Sequence, residues 1–268
     1  MHPRQLLANY NLEAKKSLGQ NFLFDENVLE RIVAAAGITK EDQVFEIGPG
    51  LGSLTRQLAQ RAGRVVAVEL DGRFLPILQA ELTDFDNIEL VHGDILDQNL
   101  ADLFLEPYKV VANVPYYITG AILRHLLDGE HKPSVMVLTV QKEVAQRMTA
   151  VPPHMSLLSV GVQYYGQAQI LFGIKAGAFW PRPDVDSAVV RIDLATYPAR
   201  DLAQERAFFR IVRIGFSQKR KQLQKNLRQL GLDKLEIVTR LNEAGIDGSR
   251  RAETLTIDEW QVLVRVFK

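Results

Sequence analysis

Gln43-Val44-Phe45-Glu46-Ile47-Gly48-Pro49-Gly50-Leu51-Gly52 decides the fold. Five residues of strand character run into a turn with glycine at every second position, and Ser53 onward has helical spacing. A strand that breaks into such a turn and restarts as a helix lets a ligand approach bare backbone at a helix N-terminus. Taken alone, the turn is weak evidence for any particular ligand.

Outward from this stretch, short β-rich runs at 64–70, 88–91, 109–114 and 135–140 alternate with helical patterns at 53–61, 72–82 and 118–127. Upstream, Asp25-Glu26-Asn27 reads as an N-cap for a helix over 28–36, with Gly37 as its stop. The alternation predicts a mainly parallel sheet with helices on both faces. Helical patterns at 141–150 and 156–165 follow, then runs at 170–174 and 188–194 that predict a hairpin-like antiparallel edge and seven strands in all. Thr196-Tyr197-Pro198-Ala199-Arg200-Asp201 reads as a linker. Beyond it, 204–216, 219–230, 234–244 and 257–267 have helical spacing and no strand signal. The expectation is therefore a Rossmann-like α/β domain over 1–197 and a small all-α domain over 204–268.

The ends of the first strands carry chemistry. Glu69 closes the second strand, where an acid accepts bonds from ribose hydroxyls. Gly93-Asp94 follows the third, where a carboxylate can accept from an adenine amino group. Each acid by itself is an ordinary surface carboxylate; a glycine turn, Glu and Asp on three successive strand ends are a poor coincidence. In the dinucleotide fingerprint the third glycine falls one residue later than Gly52, so S-adenosylmethionine is favoured over a nicotinamide, which stays the alternative.

After the fourth strand comes Asn113-Val114-Pro115-Tyr116. In isolation this is a turn at a strand end. At this position it offers an amide, a carbonyl beside Pro115 and a flat aromatic face, which together can hold a flat ring bearing an exocyclic amine.

Composition narrows the field. The chain has 268 residues, 47% hydrophobic and 24% charged, the profile of a globular protein with a sizeable core. No cysteine means no thiol nucleophile, disulfide or thiolate metal site, and His2, His92, His125, His131 and His154 lack ligand spacing, so no metal is expected. No apolar run is long enough to span a bilayer, and cytoplasm is the default. Net charge is zero but segregated: ten acids and one base lie between Glu69 and Glu106, eight bases and no acid between Arg206 and Arg228. Lys15 and Lys16 add a small basic cluster. Such a basic run is either a solvated helix face or a grip for a polyanion. No heptad or symmetric patch is present, and a monomer is expected.

Lys16-Ser17-Leu18-Gly19-Gln20-Asn21-Phe22-Leu23, the Glu46–Gly52 stretch, Asn113–Tyr116, Phe179-Trp180-Pro181-Arg182-Pro183-Asp184-Val185-Asp186-Ser187 and Arg251-Ala252-Glu253-Thr254-Leu255 resemble the rRNA adenine dimethyltransferases, in that family's order and over almost the whole chain. Two stretches depart from its pattern: Val114 stands where Leu is usual, and Val151–Leu158 lacks the Pro-Gly-x-x-x-Tyr-Gly-x-Leu form. The resemblance implies dimethylation of two adjacent adenosines near the 3′ end of 16S rRNA, with S-adenosylmethionine as donor. It implies that Asn21 and Leu23 cover the methionine end of the cofactor, Gly48 lies beneath it, Glu69 holds the ribose, Asp94 the adenine, and Asn113 stands at the junction with the substrate. Asn113 and the Val114 carbonyl beside Pro115 would draw the amine toward a pyramidal state; Tyr116 would stack on the target base, with Phe179 for its other face or, equally, packed into the sheet. The basic helices would grip rRNA phosphates. Two alternatives remain: a 23S rRNA adenine methyltransferase of the macrolide-resistance type, which shares the motif set, and a non-catalytic RNA-binding factor of the same fold.

Overall fold

The computed structural model of the protein describes residues 1–129, 131–194 and 201–267. Nine strands occur among them: β1 Phe22–Leu23, β2 Gln43–Ile47, β3 Arg64–Glu69, β4 Ile88–His92, β5 Tyr108–Asn113, β6 Val135–Gln141, β7 Gln167–Ile174, β8 Phe179–Trp180 and β9 Ser187–Asp193. Seven of them form one sheet in the order β4-β3-β2-β5-β6-β9-β7. The first five of that order run parallel, and β9 is antiparallel to both β6 and β7. The expected antiparallel pair is thus present, with β9 inserted between β6 and an edge strand β7. β1 and β8 form a separate two-stranded ribbon that the sequence did not announce.

The chain divides into two compact units. The first holds the sheet and comprises residues 1–145 and the chain from Gln167 to the end of β9; Gln146–Gly166 groups instead with the C-terminal helices. The sequence reading placed residues 1–197 in one domain and 204–268 in the other, and the two units differ from it over Gln146–Gly166. Contacts within the second unit hold that segment: Tyr164 stacks on Phe208 with ring centroids 4.0 Å apart, Tyr165 stacks on Phe209 at 5.7 Å, and the Met155 N–H donates to the Glu253 carbonyl at 3.0 Å. Of the expected linker, residues 196–200 lie outside the described residues; Asp201 caps the helix Leu202–Gly215.

In the first unit, side chains alternate across the pleat. One face buries Val44, Val65, Val111, Val137 and Val189 against Leu29, Ile32 and Val33 of the helix Glu26–Ala36 and Leu54 and Leu58 of the helix Ser53–Ala59. Asp25 accepts from the Val28 N–H and Gly37 closes the first of these helices at φ 56°, as the cap and stop signals require. In the second unit, Trp260 is fully buried and packs on Gly215, where a Cβ would collide with the indole. The expected helix over 219–230 is not continuous. Lys219–Lys221 lie in a turn, and helical structure resumes only at Leu223–Asn226. The Asn226 side-chain amide donates to the Gly215 and Gln218 carbonyls and so folds the turn back on the preceding helix end.

Candidate active site

The strand order reverses between β2 and β5, the place in an open α/β sheet where loops part to leave a crevice beyond the strand carboxyl ends. An open cleft lies there, lined from the ends of β2, β3 and β5, the Gly93–Ile95 segment and the chain from Leu18 to Leu23.

At one end, Gly48, Gly50 and Gly52 all take positive φ (68°, 57° and 83°). A Cβ on Gly50 would also lie 3.0 Å from the Phe22 ring, so this turn needs glycine for its dihedral and for the close approach of β1. Glu69 is buried against the turn. Its Oε2 accepts from the Gly50 N–H at 3.0 Å and its Oε1 from the Asp71 N–H at 2.8 Å. Burial pushes its carboxyl up, and the two amides hold it down. Asp71 is held well below the usual carboxylate range, chiefly by the Arg73 guanidinium, and accepts from the Gln20 side chain at 2.9 Å. Gln20 thereby ties the Leu18–Leu23 segment to the acid that carries Glu69. Asp94 Oδ1 caps its own turn through the Leu96 N–H at 2.9 Å.

At the other end, the Asn113 Nδ2 donates to the Asn21 carbonyl at 3.1 Å. That fixes the amide and leaves its Oδ1 without a protein donor among the described residues. The Val114 N–H donates to the Thr139 carbonyl at 3.1 Å, while the Val114 carbonyl accepts from no group among the described residues. Tyr116 is half-buried, its hydroxyl 2.6 Å from Ser187 Oγ, and burial raises its phenol.

Asn21, Leu23, Gly48, Glu69, Asp94, Asn113, Pro115 and Tyr116 all line this one cleft. Phe179 does not. It is 2% exposed and packs with Leu29, Ile32 and Val189, because its β8 pairing with Leu23 turns the ring toward the sheet. Sequence reasoning passed over Gln20, Asp71, Ser187 and Glu46. Glu46 is 1% exposed on the cleft floor, and burial pushes its carboxyl up to about 8; the Thr55 hydroxyl opposes the rise and the Glu69 charge adds to it. Neither Glu46 Oε2 nor Thr55 Oγ1 reaches a protein partner in hydrogen-bonding geometry. A Glu between Phe45 and Ile47 in a strand with a buried interior was the available signal.

Comparison with known proteins agrees with this architecture. The sequence profile of the family described as "Ribosomal RNA adenine dimethylase" matches residues 11–268. Proteins named "Ribosomal RNA small subunit methyltransferase A" are 43% identical over 267 residues in Dehalococcoides mccartyi, covering 98% of this chain and 92% of that protein. In Listeria innocua the figures are 43% over 272 residues, covering 97% and 92%. Among solved structures, the 23S rRNA methyltransferase ErmE superposes with a TM-score of 0.75 at 28% identity, covering 92% of this chain and 99% of that one. A dimethyladenosine transferase from Plasmodium falciparum superposes with a TM-score of 0.77 at 24% identity over 90% and 95%, which speaks for the fold. With a seven-stranded methyltransferase sheet, a glycine turn facing an Asn-Val-Pro-Tyr loop, and a profile match over nearly its full length, the chain belongs to the ribosomal RNA adenine dimethylase family.

Proposed function

We propose that this chain transfers methyl groups from S-adenosylmethionine to the N6 atoms of two adjacent adenosines near the 3′ end of small-subunit rRNA. The observation that carries the reading is the Asn113 amide, pinned by the Asn21 carbonyl so that its oxygen stays available in the same cleft as Glu69 and the glycine turn.

The residues present fit the cofactor. A turn without side chains at Gly48 and Gly50 leaves room for its methionine end, beside Asn21 and Leu23. Both Glu69 oxygens keep acceptor capacity for ribose hydroxyls after taking one amide each, and Asp94 Oδ2 is left for an adenine amino group. Bound there, S-adenosylmethionine supplies an electrophilic methyl. An exocyclic adenine amine is a poor nucleophile because its lone pair is delocalised into the ring. Asn113 Oδ1 and the Val114 carbonyl, as two fixed acceptors, draw the N–H groups out of the ring plane and free the lone pair. The transfer needs no base at that stage, since the proton becomes acidic once the nitrogen is quaternary and leaves to solvent. Tyr116 supplies a stacking face, worth about 1–3 kcal/mol per base, which offsets part of the cost of taking the adenosine out of its own stack.

The grip on rRNA is assigned to the second unit. Arg206, Arg210 and Arg213 recur along one face of the helix Leu202–Gly215, and with Lys219, Arg220, Lys221, Lys225 and Arg228 they are all exposed. None of the eight forms an ion pair among the described residues, which suits groups that neutralise phosphates. No helix among the described residues is long and apolar enough to cross a membrane. A cytoplasmic monomer acting on ribosomal particles goes with this reading.

Incubation with undermethylated small subunits and labelled S-adenosylmethionine, followed by primer-extension mapping, tests it. Paired stops at adjacent adenosines near the 3′ end of 16S rRNA are expected. Label confined to 23S rRNA, or none in either rRNA, would overturn the assignment.

A further inference from the structure

The Tyr116 hydroxyl and Ser187 Oγ, 2.6 Å apart, join segments separated by 71 residues in sequence. Ser187 is wholly buried and opens β9, where it pairs with Gln141 of β6 on one side and Ile174 of β7 on the other. It is therefore held by the sheet from both flanks. Neither hydroxyl has another hydrogen-bond partner among the described residues. The backbone of the Tyr116 turn is fastened separately, by Thr119 Oγ1 donating to the Pro115 and Tyr116 carbonyls at 3.2 and 3.3 Å. The Ser187 bond is thus not needed to hold the turn; what it adds is a fixed point at the far end of the ring. Tyr117, the next residue, is 56% exposed and makes no side-chain hydrogen bond among the described residues.

We propose that Ser187 is a positioning residue for methyl transfer, clamping the Tyr116 ring at its para position so that its face meets the target adenine in one orientation. The proposal rests on the stacking role given to Tyr116 above. A ring attached through two rotatable bonds is free to swing about χ1 and to turn about χ2. Tying its oxygen, which lies on the Cβ–Cγ axis, stops the swing, and the preference of a phenol hydrogen bond for the ring plane biases the turn. Chemistry that depends on aligning a nitrogen lone pair tolerates little swing, because a misplaced reactant forfeits much of the gain from orientation. Stacking alone asks only for a flat face and is satisfied by phenylalanine; the clamp requires tyrosine. Replacing Tyr116 by Phe also leaves the fully buried Ser187 hydroxyl without a partner.

Turnover on small-subunit particles by the wild-type protein, Tyr116→Phe, Ser187→Ala and the double variant tests this, with S-adenosylmethionine affinity and thermal melting measured alongside. Each single change is expected to lower kcat about 3- to 10-fold, the scale of one neutral hydrogen bond. Cofactor affinity should hold, and the double variant should be no slower than the slower single one, because both changes remove the same bond. Wild-type turnover in Tyr116→Phe, losses that multiply in the double variant, or losses that track the melting temperature would each overturn the proposal. If Ser187→Ala does not fold, Tyr116→Phe decides alone, since it removes the bond without opening a cavity in the sheet. Absence of transfer by the wild-type protein would instead remove the functional reading, and the clamp with it.

Discussion

In the proposed mechanism Asn113 is the residue on which transfer most depends, and its replacement should separate chemistry from binding. Asn113→Ala keeps the strand and the glycine turn but removes one of the two acceptors for the amine. By analogy with deletion of a preorganised donor, the loss should be roughly 3–4 kcal/mol in the transfer step. Cofactor affinity by calorimetry should stay close to wild type; near-normal turnover would reject the two-acceptor arrangement. Glu46 makes a different prediction, on stability. Its folded carboxyl titrates at about 8 against an ordinary 4.5. Between those values the native state holds more protons than the unfolded one, so stability falls as pH rises through the window, by up to about 1.4 kcal/mol per pH unit. Glu46→Gln should flatten that fall. Urea denaturation at pH 6, 7 and 8 measures it, and parallel wild-type and variant curves would count against a buried neutral acid. The strand-end acids were legible because a parallel sheet delivers successive strand ends to one edge. Ser187 was not, since its partner becomes visible only once β9 is known to lie beside β6.

At the scale of elements, sequence periodicity located each of the seven sheet strands but not the ribbon of β1 and β8. Two residues per strand carry no period, and without that pairing nothing says which way Phe179 turns. The basic run shows a second limit. Its spacing continues across 219–230 as though one helix ran through, yet the Asn226 amide donates to the Gly215 carbonyl at the end of the previous helix and to the Gln218 carbonyl beyond it, and Lys219–Lys221 lie in an exposed turn. The join of that helix with the C-terminal one is tight at Gly215, against a Trp260 indole that is itself fully buried. In an isolated helix, Gly215→Ala would stabilise by about 1 kcal/mol. Here the indole cannot give way, and overpacking should dominate with a net loss of roughly 1–3 kcal/mol. Thermal melting of the intact chain reads the sign directly: a raised midpoint would show that the helix end relaxes and that the packing there is soft.

For the molecule as a whole, zero net charge conceals two populations of charge, an acid-rich stretch from Glu69 to Glu106 and the eight bases from Arg206 to Arg228, which form no ion pair among the described residues. If those bases hold rRNA, reversing Arg220 and Lys221 to Glu should weaken RNA binding and lower the salt dependence, by about 0.7–0.9 in log–log slope for each phosphate no longer neutralised. Binding of S-adenosylmethionine should be untouched, because every residue assigned to it belongs to the first unit. A reversal that leaves both RNA affinity and slope unchanged would mark the turn as a solvated surface and move attention to Lys15 and Lys16. The excursion of Gln146–Gly166 into the second unit has a consequence for biosynthesis. Tyr164 and Tyr165 leave the ribosome well before Phe208 and Phe209, and Met155 before Glu253. At about 5–20 residues per second, several seconds separate the synthesis of this aromatic segment from that of Phe208 and Phe209, and β9 is made in that interval. A stop codon placed after β9 would make the separation permanent, yielding a truncated product that lacks the Phe208 and Phe209 rings and is a ready substrate for chaperones and proteases.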